Sequence, residues 1–153
     1  MDFLLHPDMK AVIQRVSQAK VEVAGQMVAE IGHGLLVFAA FARDDDLNRL
    51  RRMAHKVIHL RIFERGDKMQ DSVIAIGGSV LAVPQFTLLA DCGKGHRPSF
   101  LDGMPPEQAA PLFDQFVLCL EQGLGQAVQT GRFGADMTIS LMNEGPATFI
   151  LDV

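Results

Sequence analysis

Leu35-Leu36-Val37-Phe38-Ala39-Ala40-Phe41 is an unbroken apolar run. It reads as a strand buried on both faces at the centre of a sheet. Gly32-His33-Gly34 breaks the pattern just before it. Upstream, residues 20–23 and 27–31 alternate apolar with polar around Ala24-Gly25-Gln26, the pattern of a hairpin. Residues 10–16, KAVIQRV, are β-rich and read as a further strand. Downstream, Asp44-Asp45-Asp46 opens a helix with Leu47, Leu50, Met53, Ala54, Val57 and Ile58 on one face. The acids at its start, and Arg51, Arg52, Lys56, His59 and Arg61 toward its end, suit the helix dipole.

The rest of the chain repeats this mixture. Residues 64–68 read as a turn and Ser72–Ile76 as a short strand or extended piece. SVLAV (79–83) and QFTLLA (85–90) are strand-like, and Pro84 between them marks an edge, a bulge or a strand end. Residues 91–104 form a polar loop. Pro105-Pro106-Glu107 starts a second helix, with Ala109, Leu112, Phe113, Phe116, Val117 and Leu120 facing inward and Gly123 and Gly125 ending it. AVQT, MTISLM and ATFILDV supply three more strands. Strands, helix, strands, helix, strands, joined by hairpins, predict an α+β fold. One domain is expected over residues 9–153, behind a short extension at 1–8 that lacks the basic start of a signal peptide. No apolar run approaches the roughly 18 residues of a membrane span.

Hydrophobic residues make up 48% and charged residues 21%, an ordinary globular balance. A net charge of −4 disfavours a protein that coats nucleic acid but leaves room for a local RNA contact. Cys92 and Cys119 form no CxxC, which fits a reducing compartment, and the cytoplasm is expected. GxSxG, HExxH, Walker A and GxGxxG motifs are all missing from the chain. His55 and His59 have helical metal-ligand spacing but no third ligand, so they read as a solvated pair, and neither metal nor cofactor is expected. Cys92 lies near Lys94, His96 and Arg97 and reads as a free surface thiol. Thr87 has no adjacent base, so it reads as a hydrogen-bonding support rather than a nucleophile. Two segments remain, PQFTL at 84–88 and NEGPAT at 143–148, whose Gly145-Pro146 taken alone is a turn dipeptide.

AVIQRV (11–16), GLL (34–36), LRIFE (60–64), GG (77–78), QFTL (85–88), KGHRPSF (94–100), TGRFGADM (130–137) and NEGPAT (143–148) are specific in their joint order and spacing. From about Met9 to Val153 the chain resembles the D-aminoacyl-tRNA deacylases. The resemblance implies mixed, barrel-like sheets packed with two main helices. It also implies a homodimer in which Gly145-Pro146, in cis, reaches into the partner's site and offers its carbonyls to the substrate's α-amino group. Arg15 would hold that motif in place. Gln85, Phe86 and Thr87 would form the catalytic floor facing the ester, with backbone N–H groups stabilising the oxyanion and the ribose 2′-OH assisting. Phe133 and Met137 would hold the terminal adenine of the tRNA 3′ end.

The reaction so implied is hydrolysis of D-aminoacyl-tRNA, and of glycyl-tRNA on non-cognate tRNA, as proofreading. Pro84 departs from the serine usual in the family and removes a hydroxyl and an N–H. A related branch that accepts small L-amino acids carries proline there. The alternatives are accordingly a deacylase of relaxed chirality and a non-catalytic module that holds tRNA 3′ ends.

Overall fold

The computed structural model describes residues 8–153, so the expected extension lies, apart from Asp8, outside the described residues. In chain order the elements are β1 (Lys10–Val23), β2 (Gln26–Ile31), β3 (Gly34–Ala40), α1 (Leu47–His59), β4 (Phe63–Arg65), β5 (Lys68–Asp71) and β6 (Ser79–Pro84). A single 3₁₀ turn (Phe86–Leu89), α2 (Pro106–Leu124), β7 (Gln129–Thr130) and β8 (Thr138–Asp152) follow.

β1 organises the sheet. One edge pairs antiparallel with β8 along nearly its whole length. The other pairs first with β3, Lys10 to Val16, and then with β2, Ala19 to Val23. β3 continues in parallel to β6, and β6 to β7. β2 lies against β6 and β7, so this mixed sheet curls toward itself like a barrel. Alternate residues of the two interior strands feed two cores. Leu36, Leu81 and Val83 join Val16, Val21 and Ile31 inside the curl. Leu35, Val37, Val80 and Ala82 face α1 and α2, meeting Leu50, Met53, Val57, Phe113 and Phe116. Burial on both faces is why LLVFAA and VLAV carry no polar alternate.

Gly34 is required where β3 meets β6, because a Cβ there would run into the Ser79 backbone. The helices also approach closely, since a Cβ at Gly123 would meet Ile58 Cδ1. The Asp46 side chain caps α1, accepting from the Arg49 amide at 2.9 Å. Among the described residues no helix is long and apolar enough to cross a membrane.

Several local expectations need correction. Residues 10–23 form one strand rather than two, because β8 pairs with both halves, its register shifting between Val16 and Gln18 without ending the ladder. MTISLM and ATFILDV likewise join as β8, with the Gly-Pro segment bulging within it. Residues 64–68 are not just a turn, since β4 and β5 pair around Gly66-Asp67. Ser72–Ile76 is a turn stabilised by the Ser72 hydroxyl, which accepts from the Ala75 amide at 3.1 Å. QFTLLA is not a strand: after Pro84 the chain turns into the 3₁₀ segment, with Leu88 N–H donating to Gln85 O. Leu47 is exposed at the start of α1, and α2 passes Gly123 to end at Gly125 in the left-handed region.

Candidate active site

The first half of the site is a bulge. Gln14 pairs with Thr148 and Val16 with Asn143, so four residues, Glu144–Ala147, stand opposite Arg15 alone. The Gly145-Pro146 peptide is cis. Arg15 is buried, although its side chain is charged, because its donors are used. Nε donates to Glu144 O at 3.1 Å and one terminal nitrogen donates to Ile62 O at 2.7 Å. The other terminal nitrogen lies 3.8 Å from the Glu64 carboxylate. Gly145 has a φ of +120°, and a Cβ there would sit 2.5 Å from the Arg15 guanidinium. Backbone conformation and space therefore both require glycine. Asn143 closes the bulge from the other side, its amide donating to Arg15 O at 3.0 Å and to Ala147 O at 2.9 Å.

The second half lies where β6 ends. Gln85 N–H donates to Ala39 O at 2.8 Å and fixes the exit from the sheet. The 3₁₀ turn then leaves the Phe86 and Thr87 amides without a hydrogen-bond partner among the described residues. Such orphan donors are expected at the start of a helical turn. The Thr87 hydroxyl donates to Gln85 Oε1 at 2.8 Å and so braces the turn. Phe86 is 63% exposed, and its ring meets that of Phe100 edge-on, 5.2 Å away between ring centres. Paired amides and carbonyls of Asp91 and Ser99 fold the 91–104 loop back to bring Phe100 there. Lys94, His96 and Arg97 at the loop's tip are exposed.

The 131–137 loop borders this second half. Gly131 N–H donates to Ala82 O at 2.9 Å. A Cβ on Gly131 would strike Met137 Sδ at 2.7 Å and approach Val83 at 3.4 Å, so Met137 lies beside the end of β6. Phe133 is exposed, with its ring tilted against that of Phe113, 6.4 Å between ring centres. It lines a hollow of about 430 Å³ shared with Val117, Thr130 and Gly131.

The fold thus brings Pro84, Gln85, Phe86 and Thr87 near Met137, and brings Arg15 to Gly145-Pro146. It does not bring the two groups together within one protomer. Pro84 aligns through Ala39 and Ala11 with Leu151, whereas the bulge faces Arg15, which aligns with Leu35 and Val80. The offset is roughly 13 Å along the strands and about 14 Å across three strand spacings. Asn143 and Phe100 were missed as site residues, although each belongs to a motif already singled out. Among the described residues no group of three His, Cys, Asp or Glu side chains could hold a metal ion.

A family model described as D-Tyr-tRNA(Tyr) deacylase matches residues 12–152. The chain belongs to the D-Tyr-tRNA(Tyr) deacylase family. Relatives support the same membership. A D-aminoacyl-tRNA deacylase of Pelobacter propionicus is 50% identical over 145 residues, 94% of this chain and 99% of that protein. One of Proteus mirabilis is 50% identical over 147 residues, 95% of this chain and all of its own. Among solved structures, a c-Myc DNA unwinding element binding protein superposes with a TM-score of 0.90 at 35% identity, covering 94% of this chain and 98% of its own. A probable eukaryotic D-amino acid tRNA deacylase shares the fold, with a TM-score of 0.84 at 22% identity over 95% and 99% of the two chains. The deacylase fold is therefore the α+β, barrel-like arrangement with two main helices that the sequence implied.

Proposed function

We propose that this chain hydrolyses the ester between a D-amino acid and tRNA, releasing both in chirality-based proofreading. The observation that carries the reading is the pair of unpartnered amides at Phe86 and Thr87, at the end of a buried strand in a member of this family. An aminoacyl ester is already activated, so a site that positions it and stabilises the tetrahedral oxyanion needs little else. Water adds to the carbonyl carbon, the bond to the ribose oxygen breaks, and that oxygen takes up a proton with help from the neighbouring 2′-OH. Thr87 supports Gln85 and the turn rather than attacking. Phe133 and Met137 hold the terminal adenine, and Lys94, His96 and Arg97 meet nearby phosphates.

Chirality follows from exclusion. The Gly145-Pro146 carbonyls accept from the α-amino group while the floor holds the ester. An L side chain is then driven into the wall and a D side chain points outward. Glycine has no side chain to reject, so glycyl-tRNA is also cleaved. Because the Gly-Pro bulge lies far from its own floor, the motif completes the pocket of a second copy in a homodimer. β8 favours such pairing: it is a long edge strand that leaves Met142 and Ile150 exposed. The cytoplasm, where tRNA is charged, is the proposed location, and residues 9–153 act as one domain.

Pro84 favours a second reading, a deacylase of relaxed chirality that also clears small L-amino acids. Single-turnover hydrolysis of D-Tyr-tRNA, L-Tyr-tRNA, L-Ala-tRNA and Gly-tRNA, each against its spontaneous rate, separates the readings. The first predicts rapid loss of the D and glycyl esters with both L esters spared. Cleavage of L-Ala-tRNA would favour the second. Tight binding with no acceleration of any ester would leave a module that holds tRNA ends.

A further inference from the structure

The charges of this chain are segregated. Its net charge is −4, yet residues 47–68 hold seven Lys and Arg (Arg49, Arg51, Arg52, Lys56, Arg61, Arg65, Lys68) and only two acids, Glu64 and Asp67. Leu50, Met53, Ala54, Val57 and Ile58 turn the apolar face of α1 into the core. From Arg51 to His59, every exposed side chain on that helix is basic in type: Arg51, Arg52, His55, Lys56 and His59. Their spacing sets them in one stripe about 12 Å long. Among the described residues no carboxylate comes within 4.0 Å of Arg51, Arg52 or Lys56. Arg49, at the edge of the stripe, is by contrast paired with Asp8 and Asp45. His55 and His59 stack, 4.1 Å between ring centres, and His59 Nδ1 meets His55 O at 2.8 Å, which orders that end of the stripe.

The dipole of α1 accounts for cations in its last turn but not for Arg51 and Arg52 near its start. An unpaired cationic face on an acidic protein is instead suited to a polyanion. Its position indicates which one. The chain leaving α1 runs through Arg61 to Ile62, whose carbonyl accepts from Arg15, and Arg15 in turn holds Glu144 beside Gly145-Pro146. The His59 end of the stripe therefore lies three residues before the carbonyl that anchors Arg15, in the chain that supplies the Gly-Pro motif.

We propose that the Arg51, Arg52, His55, Lys56 and His59 face of α1 docks the sugar–phosphate backbone of the helical body of the tRNA whose aminoacylated end occupies the pocket that this motif completes. The inference rests on the deacylase reading only for the identity of the RNA. Contacts of this kind position without reading sequence, so the stripe serves every tRNA alike. It also explains how a net acidic enzyme holds a polyanion: the attraction is local rather than global.

The test compares the wild-type protein with Arg52→Gln/Lys56→Gln and with the charge-retaining Arg52→Lys/Lys56→Arg. Uncharged tRNA binding is measured across a salt series. The neutralised variant should lose about two units of slope in log K against log salt, about one for each phosphate contact removed. The charge-retaining variant should keep the wild-type slope. Hydrolysis is then followed on D-Tyr-tRNA and on D-tyrosyl-adenosine, a minimal ester too short to reach α1. KM for the tRNA should rise roughly tenfold in the neutralised variant. Its rate on the adenosine ester, and its thermal midpoint, should match the wild type.

Equal salt slopes for all three proteins would overturn the proposal, as would equal loss on the tRNA and the adenosine ester. Failure of the wild type to cleave any ester would instead defeat the deacylase reading. The salt series would still decide whether α1 grips RNA.

Discussion

Arg15 and Glu144 are joined across the widest irregularity of the sheet, Arg15 Nε donating to the Glu144 carbonyl at 3.1 Å. One buried guanidinium thereby ties the Gly-Pro bulge to Ile62, at the exit from α1. Arg15→Leu leaves both carbonyls without a donor, and each orphaned acceptor costs about 1–3 kcal/mol. The thermal midpoint should fall by several degrees, and single-turnover hydrolysis should fall further than the loss of folded protein explains. Arg15→Lys should recover only part of either, because an ammonium cannot span two carbonyls as a planar fork does. Wild-type rates in the folded fraction of Arg15→Leu would remove Arg15 from the site.

The amide of Phe86, rather than its ring, is the proposed oxyanion donor. Proline is tolerated in a first helical turn, and its φ suits a 3₁₀ segment, so Phe86→Pro deletes the N–H with little disturbance to the backbone. The rate should drop by roughly 10²- to 10³-fold, the usual cost of one oxyanion donor. Phe86→Ala, which keeps the amide, should be much milder. Thr87→Ala removes one side-chain hydrogen bond, worth about 1 kcal/mol, and should slow the reaction less than roughly tenfold. A Thr87→Ala rate at the spontaneous level, with the fold intact, would argue for a direct chemical role.

The interior strands were legible because burial on both faces leaves a visible pattern: Leu35–Ala40 and Val80–Val83 can be nothing else in a mixed sheet. α1 was legible from its period and from Asp46. The residues that leave the sheet were not. Gln85–Leu89 has the composition of a strand, but Pro84 ends the ladder, and the turn is set by the contact of Gln85 with Ala39, 46 positions apart in the numbering. The pairing of β8 across two bulges is also long-range, and its turn-like NEGPAT motif hid the continuity. Site residues emerged from motif resemblance rather than from periodicity. Arg15, in a β-rich segment, has no local sign that it is buried or of what it holds.

Asp45 should leave a signature in the pH dependence of stability. Its carboxylate accepts from the amides of Ala42 and Met9 and from Arg49. Desolvation nevertheless outweighs those contacts and lifts its pKa above the ordinary 3.8. The native state then holds this proton more tightly than the unfolded chain does. Asp45 therefore contributes a decline in stability as pH rises from about 3.8 through the raised folded value, and a level line above it. In urea titrations between pH 3.5 and 7, Asp45→Asn should lack that component whatever its absolute stability. A difference between wild type and variant that grows as pH rises would contradict the assignment.

Pro84 sits opposite Ala39 at the last rung of the parallel ladder, where a missing N–H disturbs little of the sheet. Pro84→Ser should therefore leave the thermal midpoint within a few degrees. Its effect should appear in selectivity, with the D-Tyr-tRNA rate holding within a few-fold and the ratio of D-Tyr to L-Ala ester cleavage rising. Unchanged rates on every substrate would mean that proline at this position is neutral.

The separation of Gly145-Pro146 from Gln85–Thr87 within one chain makes subunit complementation the decisive test of a shared site. Gly145→Ala displaces the Arg15 guanidinium and distorts the Gly-Pro motif, while Phe86→Pro disables the floor. Each homodimer should be nearly inactive. A heterodimer assembled from the two holds one pocket with an intact floor and an intact motif from its partner, and one pocket with neither. Random re-association should then restore about one quarter of wild-type activity, since half the dimers are mixed and each has one working pocket. If the motif instead served its own chain, every pocket in every dimer would carry one defect, and mixing would restore nothing. Activity that stays at the level of the separate variants, with heterodimers shown to have formed, would therefore exclude the crossed arrangement.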